Sequence, residues 1–391
     1  MKRHTIILLL LLVLMILPIF GTETIYAESA EHVTEEELQE NIKELLDALD
    51  MEELQQYLDS LSSFGGVSIK EMLTQVINGD FSVNYDSLGE AVFSLFFDNL
   101  TDLLPAFAMI LASALLCGIL NSAKNGFLHS TLSNIINIVG YLAVGAVLLS
   151  CLIGALNSGY QAIEAMQKQM QIVYPLLLTL MAASGGTSSV AIYRPAVAFM
   201  SSAISELFVS VVLPTSVVVL VFSWIGGLNK DVKTDKLSDF FKSINKWLIG
   251  LTLGLFTLFL SVQGIAAAQY DGISLRTIKY ILSGSIPVVG GFLSGSVELI
   301  MAGSALIKNA LGSFAIFMLL GTILQPILSL VTLQLFLKLS AAATEPIGGN
   351  IPKVLSKIAG DLNSFLAAIF CIAFLYFLTI LLLVCSSGVI F

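Results

Sequence analysis

Residues 364–389 read SFLAAIFCIAFLYFLTILLLVCSSGV and contain no charged side chain. Wound as an α-helix, this run is about 39 Å long, more than the ~30 Å hydrocarbon core of a bilayer. A helix satisfies its own backbone amides and carbonyls, which no water could do at that depth. Five further runs read the same way, at 103–120, 134–156, 207–227, 247–266 and 310–337. The whole chain agrees with them: of 391 residues, 56% are hydrophobic and 12% charged, and the mean hydropathy is +0.91. An ordinary soluble domain carries roughly 25% charged residues. The expected fold is therefore all-α, a polytopic helical membrane protein. A net charge of −10 excludes a protein that neutralises nucleic-acid phosphates.

Two other apolar stretches are interrupted, near 172–205 and 281–307. The first stops at Ser184-Gly185-Gly186 and passes through Arg194-Pro195; the second contains Gly284, Pro287, Gly290, Gly291, Gly295 and Gly303. That density of glycine and proline predicts broken or re-entrant helices, tolerated only where protein or a wet cavity covers the backbone. Pro195, Val197, Ser202, Glu206 and Leu207 align on Pro287, Val289, Ser294, Glu298 and Leu299 without a gap. Each group precedes a crossing, a basic amphipathic segment and another crossing, the order expected of a diverged parallel repeat.

The charge is divided along the chain. Residues 28–103 hold 18 Asp and Glu against Lys43 and Lys70, whereas residues 104–391 hold 9 acidic and 14 basic residues. Three units follow. Residues 1–27 have the positive start, short apolar run and small-residue end of a signal peptide, with cleavage expected between Ala27 and Glu28; an uncleaved anchor is the alternative. Residues 28–102 form an exported acidic helical region. Its helices have start signals at Thr34-x-x-Glu37, Asp50-x-x-Glu53, Ser68-x-x-Glu71 and Ser87-x-x-Glu90. Residues 103–391 form the membrane domain. With the N-terminus outside, the positive-inside rule places Lys230–Lys246 and Lys338–Lys357 in the cytoplasm.

Little here suggests catalysis. His4, His32 and His129 have no ligand spacing, and Cys117, Cys151, Cys371 and Cys385 stand singly in apolar runs. We expect no cofactor and no metal, and no enzymatic activity. Four ionisable residues in or beside apolar stretches are the candidates for function: Glu206, Glu298, Arg194 and Lys308. Charge at membrane depth is costly and faces a bundle interior, a water path or an opposite charge. The two glutamates either line a polar path or pair with Arg194 and Lys308 as structural locks. Broken helices, intramembrane carboxylates and a repeat also suit a self-contained secondary transporter.

The signal peptide, the acidic region with Glu35-Glu36-Glu37-Leu38, Tyr174-Pro175, Ser184-Gly185-Gly186, Tyr193-Arg194-Pro195 and the segment KLSDFFKSINKWLIG at 236–250 resemble the stage III sporulation protein AE family of endospore-forming bacteria. The likeness covers essentially the whole length. It implies a subunit of the mother-cell membrane complex around the forespore, a channel or secretion-like assembly. The implied partners are an ATPase, small membrane proteins, ring-forming proteins and a forespore-side protein. The implied role is support of forespore integrity and late forespore gene expression. The family brings no active-site residues.

Overall fold

A computed structural model describes residues 35–60, 68–79, 85–122, 130–227, 234–285, 289–346 and 350–386. The described residues are almost all helical. The expected signal peptide, with Ala27 and Glu28, lies outside them. Among the described residues three short helices come first: α1 (Glu35–Ala48), α2 (Glu52–Ser60) and α3 (Ile69–Ile77). The Asp50 carboxylate accepts the Glu52 amide at 3.3 Å, whereas Ser68 starts α3 without a side-chain cap bond and Ser87 falls inside a helix that begins at Tyr85. Gly79, at φ 75°, takes the left-handed turn just past α3.

Six long helices follow, each long and apolar enough to cross a membrane: α4 (Tyr85–Ser122), α5 (Ser130–Ala183), α6 (Thr187–Ile225), α7 (Asp235–Ser285), α8 (Val289–Thr344) and α9 (Ile351–Cys385). Each of the six crossings read from sequence falls on a different one. The helices are longer than the apolar runs, because flanking polar residues continue the turn without a breaker. Thus α4 joins the fourth acidic helix to the first crossing, so the 102–103 boundary falls inside it. The first interrupted stretch runs out of α5, breaks at Ser184–Gly186, where Gly185 has φ 95°, and continues as α6. Of the second, residues 281–285 end α7 and 289–307 belong to α8; residues 286–288, Pro287 among them, lie outside the described residues.

Side-chain contacts give the helix directions. Gly159 lies against Phe365, Tyr174 meets the Tyr376 ring edge-on at 5.5 Å, and Met181 meets Ser386, so α5 and α9 run parallel. Gly312 packs against Val384, which makes α8 antiparallel to α9. α9 is the central helix: Phe365, Ile369, Ile372, Tyr376, Ile380 and Leu383 are all fully buried. The lengthwise apolar character that suits a membrane span here fills a protein core.

The short acidic helices lay their apolar faces on this bundle. Ile42, Leu46, Leu54, Leu58 and Leu73 belong to the same core as α5, α8 and α9. Tyr57 is the pin: its hydroxyl accepts a 3.0 Å hydrogen bond from Gln169 Nε2 of α5, which also reaches Thr322 Oγ1 of α8 at 2.7 Å. Gly303 of α8 leaves room for Asn41, Ile42 and Leu45 of α1. The carboxylates point outward.

Candidate functional site: a polar junction and an exposed carboxylate

α6 and α7 form an antiparallel hairpin whose inner seam is polar. Asn245 Nδ2 donates to Ser216 Oγ at 2.9 Å and Thr215 Oγ1 donates to Asn245 Oδ1; about two helical turns further, Ser223 faces Ser238 at 3.1 Å. Buried hydroxyls and amides need partners, and here each supplies the other's. Ser223 also donates to Asp361 of α9, a carboxylate only 5% exposed. Lys242 of α7 closes the cluster, its Nζ 2.6 Å from Asp361 Oδ1. Lys357 of α9 reaches back to Asp235 of α7. Two parallel helices thus exchange two lysine–aspartate pairs.

The turn beside this junction is also tied down. Tyr141 of α5 stacks on Trp224 with ring centroids 4.1 Å apart and donates to its carbonyl. Asn350 Nδ2 donates to the Gly227 carbonyl at 2.9 Å, and a side chain at Gly227 would strike Val354 and Tyr141. The starts of the α6–α7 and α8–α9 second helices therefore meet in one place. Both basic segments must lie on one side of the membrane, since α7 and α9 are parallel neighbours. From Asp235 the basic segment 230–246 is the first turns of α7.

The four sequence candidates do not converge in this junction. Arg194 and Glu206 both lie exposed on α6, twelve residues apart on one helix, and form no ion pair with each other. Glu206 sits between two π-helical segments, Phe199–Ile204 and Phe208–Val212. Prolines explain the widened turns in part, since Pro214 has no amide to donate to the preceding turn. Lys308 of α8 is 1% exposed, deep in the packing. Glu298 also belongs to α8, with its side chain outside the described residues. Sequence reading missed Asp361 and its serines. Their signal was weak: one acid beside the most hydrophobic run, four residues after Lys357. Among the described residues no group of three or more His, Cys, Asp or Glu converges as metal ligands.

The helices and their internal polar junction define an all-helical polytopic membrane protein. A family model described as "Stage III sporulation protein AE" matches residues 67–387, from just before α3 to the end of α9. The chain belongs to that family, and its role is in sporulation. It is also 27% identical over 334 residues to stage III sporulation protein AE of Bacillus subtilis (strain 168), a match covering 84% of each chain. No solved structure matches it.

Proposed function

We propose that this protein is a membrane component of the mother-cell-to-forespore channel or secretion-like complex, supporting forespore integrity and late forespore gene expression rather than catalysing a reaction. The observation that carries the reading is the family match across α3 to α9, which takes in all six long helices. In this reading the acidic α1–α3 face lies between the mother-cell and forespore membranes, and the joined basic starts of α7 and α9 lie in the mother-cell cytoplasm. An ATPase, small membrane proteins, ring-forming proteins and a forespore-side protein are its partners. Lys236, Lys246 and Lys353 are exposed around the α7–α9 junction, which suits an acidic cytoplasmic partner or lipid headgroups.

A second reading, a self-contained secondary transporter, draws support from the break at Ser184–Gly186 and the two π segments that follow. Timed depletion of the protein after engulfment begins separates the two. The complex reading expects late forespore reporter expression to collapse whenever either this protein or a partner is removed. Independence from every other stage III protein would leave the transporter.

A further inference from the structure

Contacts along the α6–α7 hairpin give the depth of Glu206. Ser223 faces Ser238, and Ser216 faces Asn245, so each step back along α6 is matched by one step forward along α7. Glu206 therefore comes level with Leu255, allowing for the π turn between. Cys371 of α9 contacts the Ile249 carbonyl, so the same level on α9 is near Tyr376 and Phe377. Both positions are the middle of apolar runs, 247–263 and 364–385. On α7 the surrounding outward side chains are Leu251, Leu255, Leu258, Phe259 and Val262, all exposed large hydrophobics of the kind that face lipid chains.

A carboxylate at that depth, exposed on the protein surface and away from Arg194, is costly against lipid. By this register it falls away from both ends of α7's apolar run, whereas Arg194, about three turns further on, is level with the far end of that run. Exposed Ser202 and Ser210 lie one turn to either side of Glu206. The second, independent observation is the pair of π segments bracketing it, a rare distortion of the helix that is frequent at functional sites.

We infer that Glu206 borders a water-filled path at mid-membrane depth, with Ser202 and Ser210 on the same wall. The negative charge makes that path favour hydrated cations and basic solutes over anions. This rests on the channel-complex reading and says which face of the subunit the channel uses.

The test uses the full chain in membranes of sporulating cells, with Cys117, Cys151, Cys371 and Cys385 replaced. Single cysteines at Ser202, Ser210, Leu255 and Leu258 are exposed to two membrane-impermeant methanethiosulfonates, one trimethylammonium and one sulfonate. Ser202→Cys and Ser210→Cys are expected to react, the cationic reagent at least several-fold faster, and Leu255→Cys and Leu258→Cys to stay unmodified. Adding Glu206→Gln should abolish the charge preference. Serine positions as unreactive as Leu255 and Leu258, or leucine positions as reactive as the serines, would overturn the inference. Co-purification of partners is scored separately on the same membranes. Reactive serines in a protein that captures no partner would remove the complex and keep the path; captured partners with silent serines would do the reverse.

Discussion

Lys242 Nζ lies 2.6 Å from Asp361 Oδ1, an ion pair in which the aspartate side chain is 4% exposed and the lysine 29%. The asymmetry sets what each substitution does. Lys242→Met strands a nearly buried carboxylate, at a cost of ~3–5 kcal/mol. Asp361→Asn leaves a lysine that still reaches water and lies 3.9 Å from Asp239, and loses about 1.5–3 kcal/mol for its charged hydrogen bond. Thermal unfolding in detergent should rank Lys242→Met below Asp361→Asn, and the pair Lys242→Met with Asp361→Leu above Lys242→Met alone. Equal effects from both single changes would mean the pair is solvated.

The six crossings were legible because a membrane span is written locally, in length and absence of charge. So were the break at Ser184–Gly186 and the basic starts of α7 and α9, which the periodicity of Leu237, Phe241 and Val354, Ile358 marks out. The Lys242–Asp361 pair was not, because its partners are brought together only by the packing of two hairpins. Nor was the laying of α1–α3 onto α5 and α8. Their amphipathic pattern is the same whether the apolar face meets another short helix or Gln169, Thr322 and Gly303. The sequence likewise marked Glu206 as unusual without its depth, which needed the α6–α7 register.

The pin between α2 and the long helices gives a second test. Tyr57→Phe removes one acceptor and leaves Gln169 bonded to Thr322, so the loss should be about 1 kcal/mol. Tyr57→Ala also empties the site of a ring that is 5% exposed and should cost ~3–5 kcal/mol. Limited proteolysis should then release α1–α3 from Tyr57→Ala while Tyr57→Phe stays resistant. Equal resistance would show that the short helices do not depend on this contact.

Gly159 and Gly185 are required for different reasons. A methyl at Gly159 would come 2.4 Å from the Phe365 ring, so Gly159→Ala should cost about 1–3 kcal/mol by overpacking α5 against α9. Gly185 has φ 95°, and Gly185→Ala pays for a left-handed backbone, about 1–2 kcal/mol. Gly154, with no atom near its Cβ position, is the control, and Gly154→Ala should leave the unfolding temperature unchanged or raise it. The opposite order would contradict the α5–α9 packing.

Asp47 and Lys70 tie α1 to α3 at the surface, with Nζ 2.7 Å from the carboxylate. The hydrogen bond from Lys70, and then its charge, hold the Asp47 carboxyl below its ordinary value. A depressed folded value means the contribution is complete above the unfolded pKa of about 3.9 and is lost as pH falls through the folded one. Protection of the α3 amides, corrected for intrinsic exchange, should therefore be constant near neutrality and fall only in acid. Lys70→Met should lower that protection near neutrality and remove its acid-dependent fall, because the Asp47 carboxyl then titrates alike in both states. A Lys70→Met profile that overlays the native one would show the pair to be idle in solution.

Topology has its own probe. Ser238 is buried against Ser223, whereas Ser243 is exposed on the same helix, so Ser243→Cys reports the side on which α7 starts. With the native cysteines replaced, it should resist an impermeant maleimide in intact cells and react after permeabilisation. Labelling of intact cells would place the α7–α9 junction outside.

Membership of an assembly is the centre of this account, and capture of the full-length protein tests it most directly. The tagged chain, cross-linked in sporulating cells shortly after engulfment begins and solubilised in mild detergent, should bring down an ATPase and ring-forming proteins in fixed ratio. Lys242→Met should weaken that capture in proportion to its loss of folded protein. Recovery of the chain alone, together with solute uptake by vesicles containing only the purified protein, would contradict the account and make it a transporter.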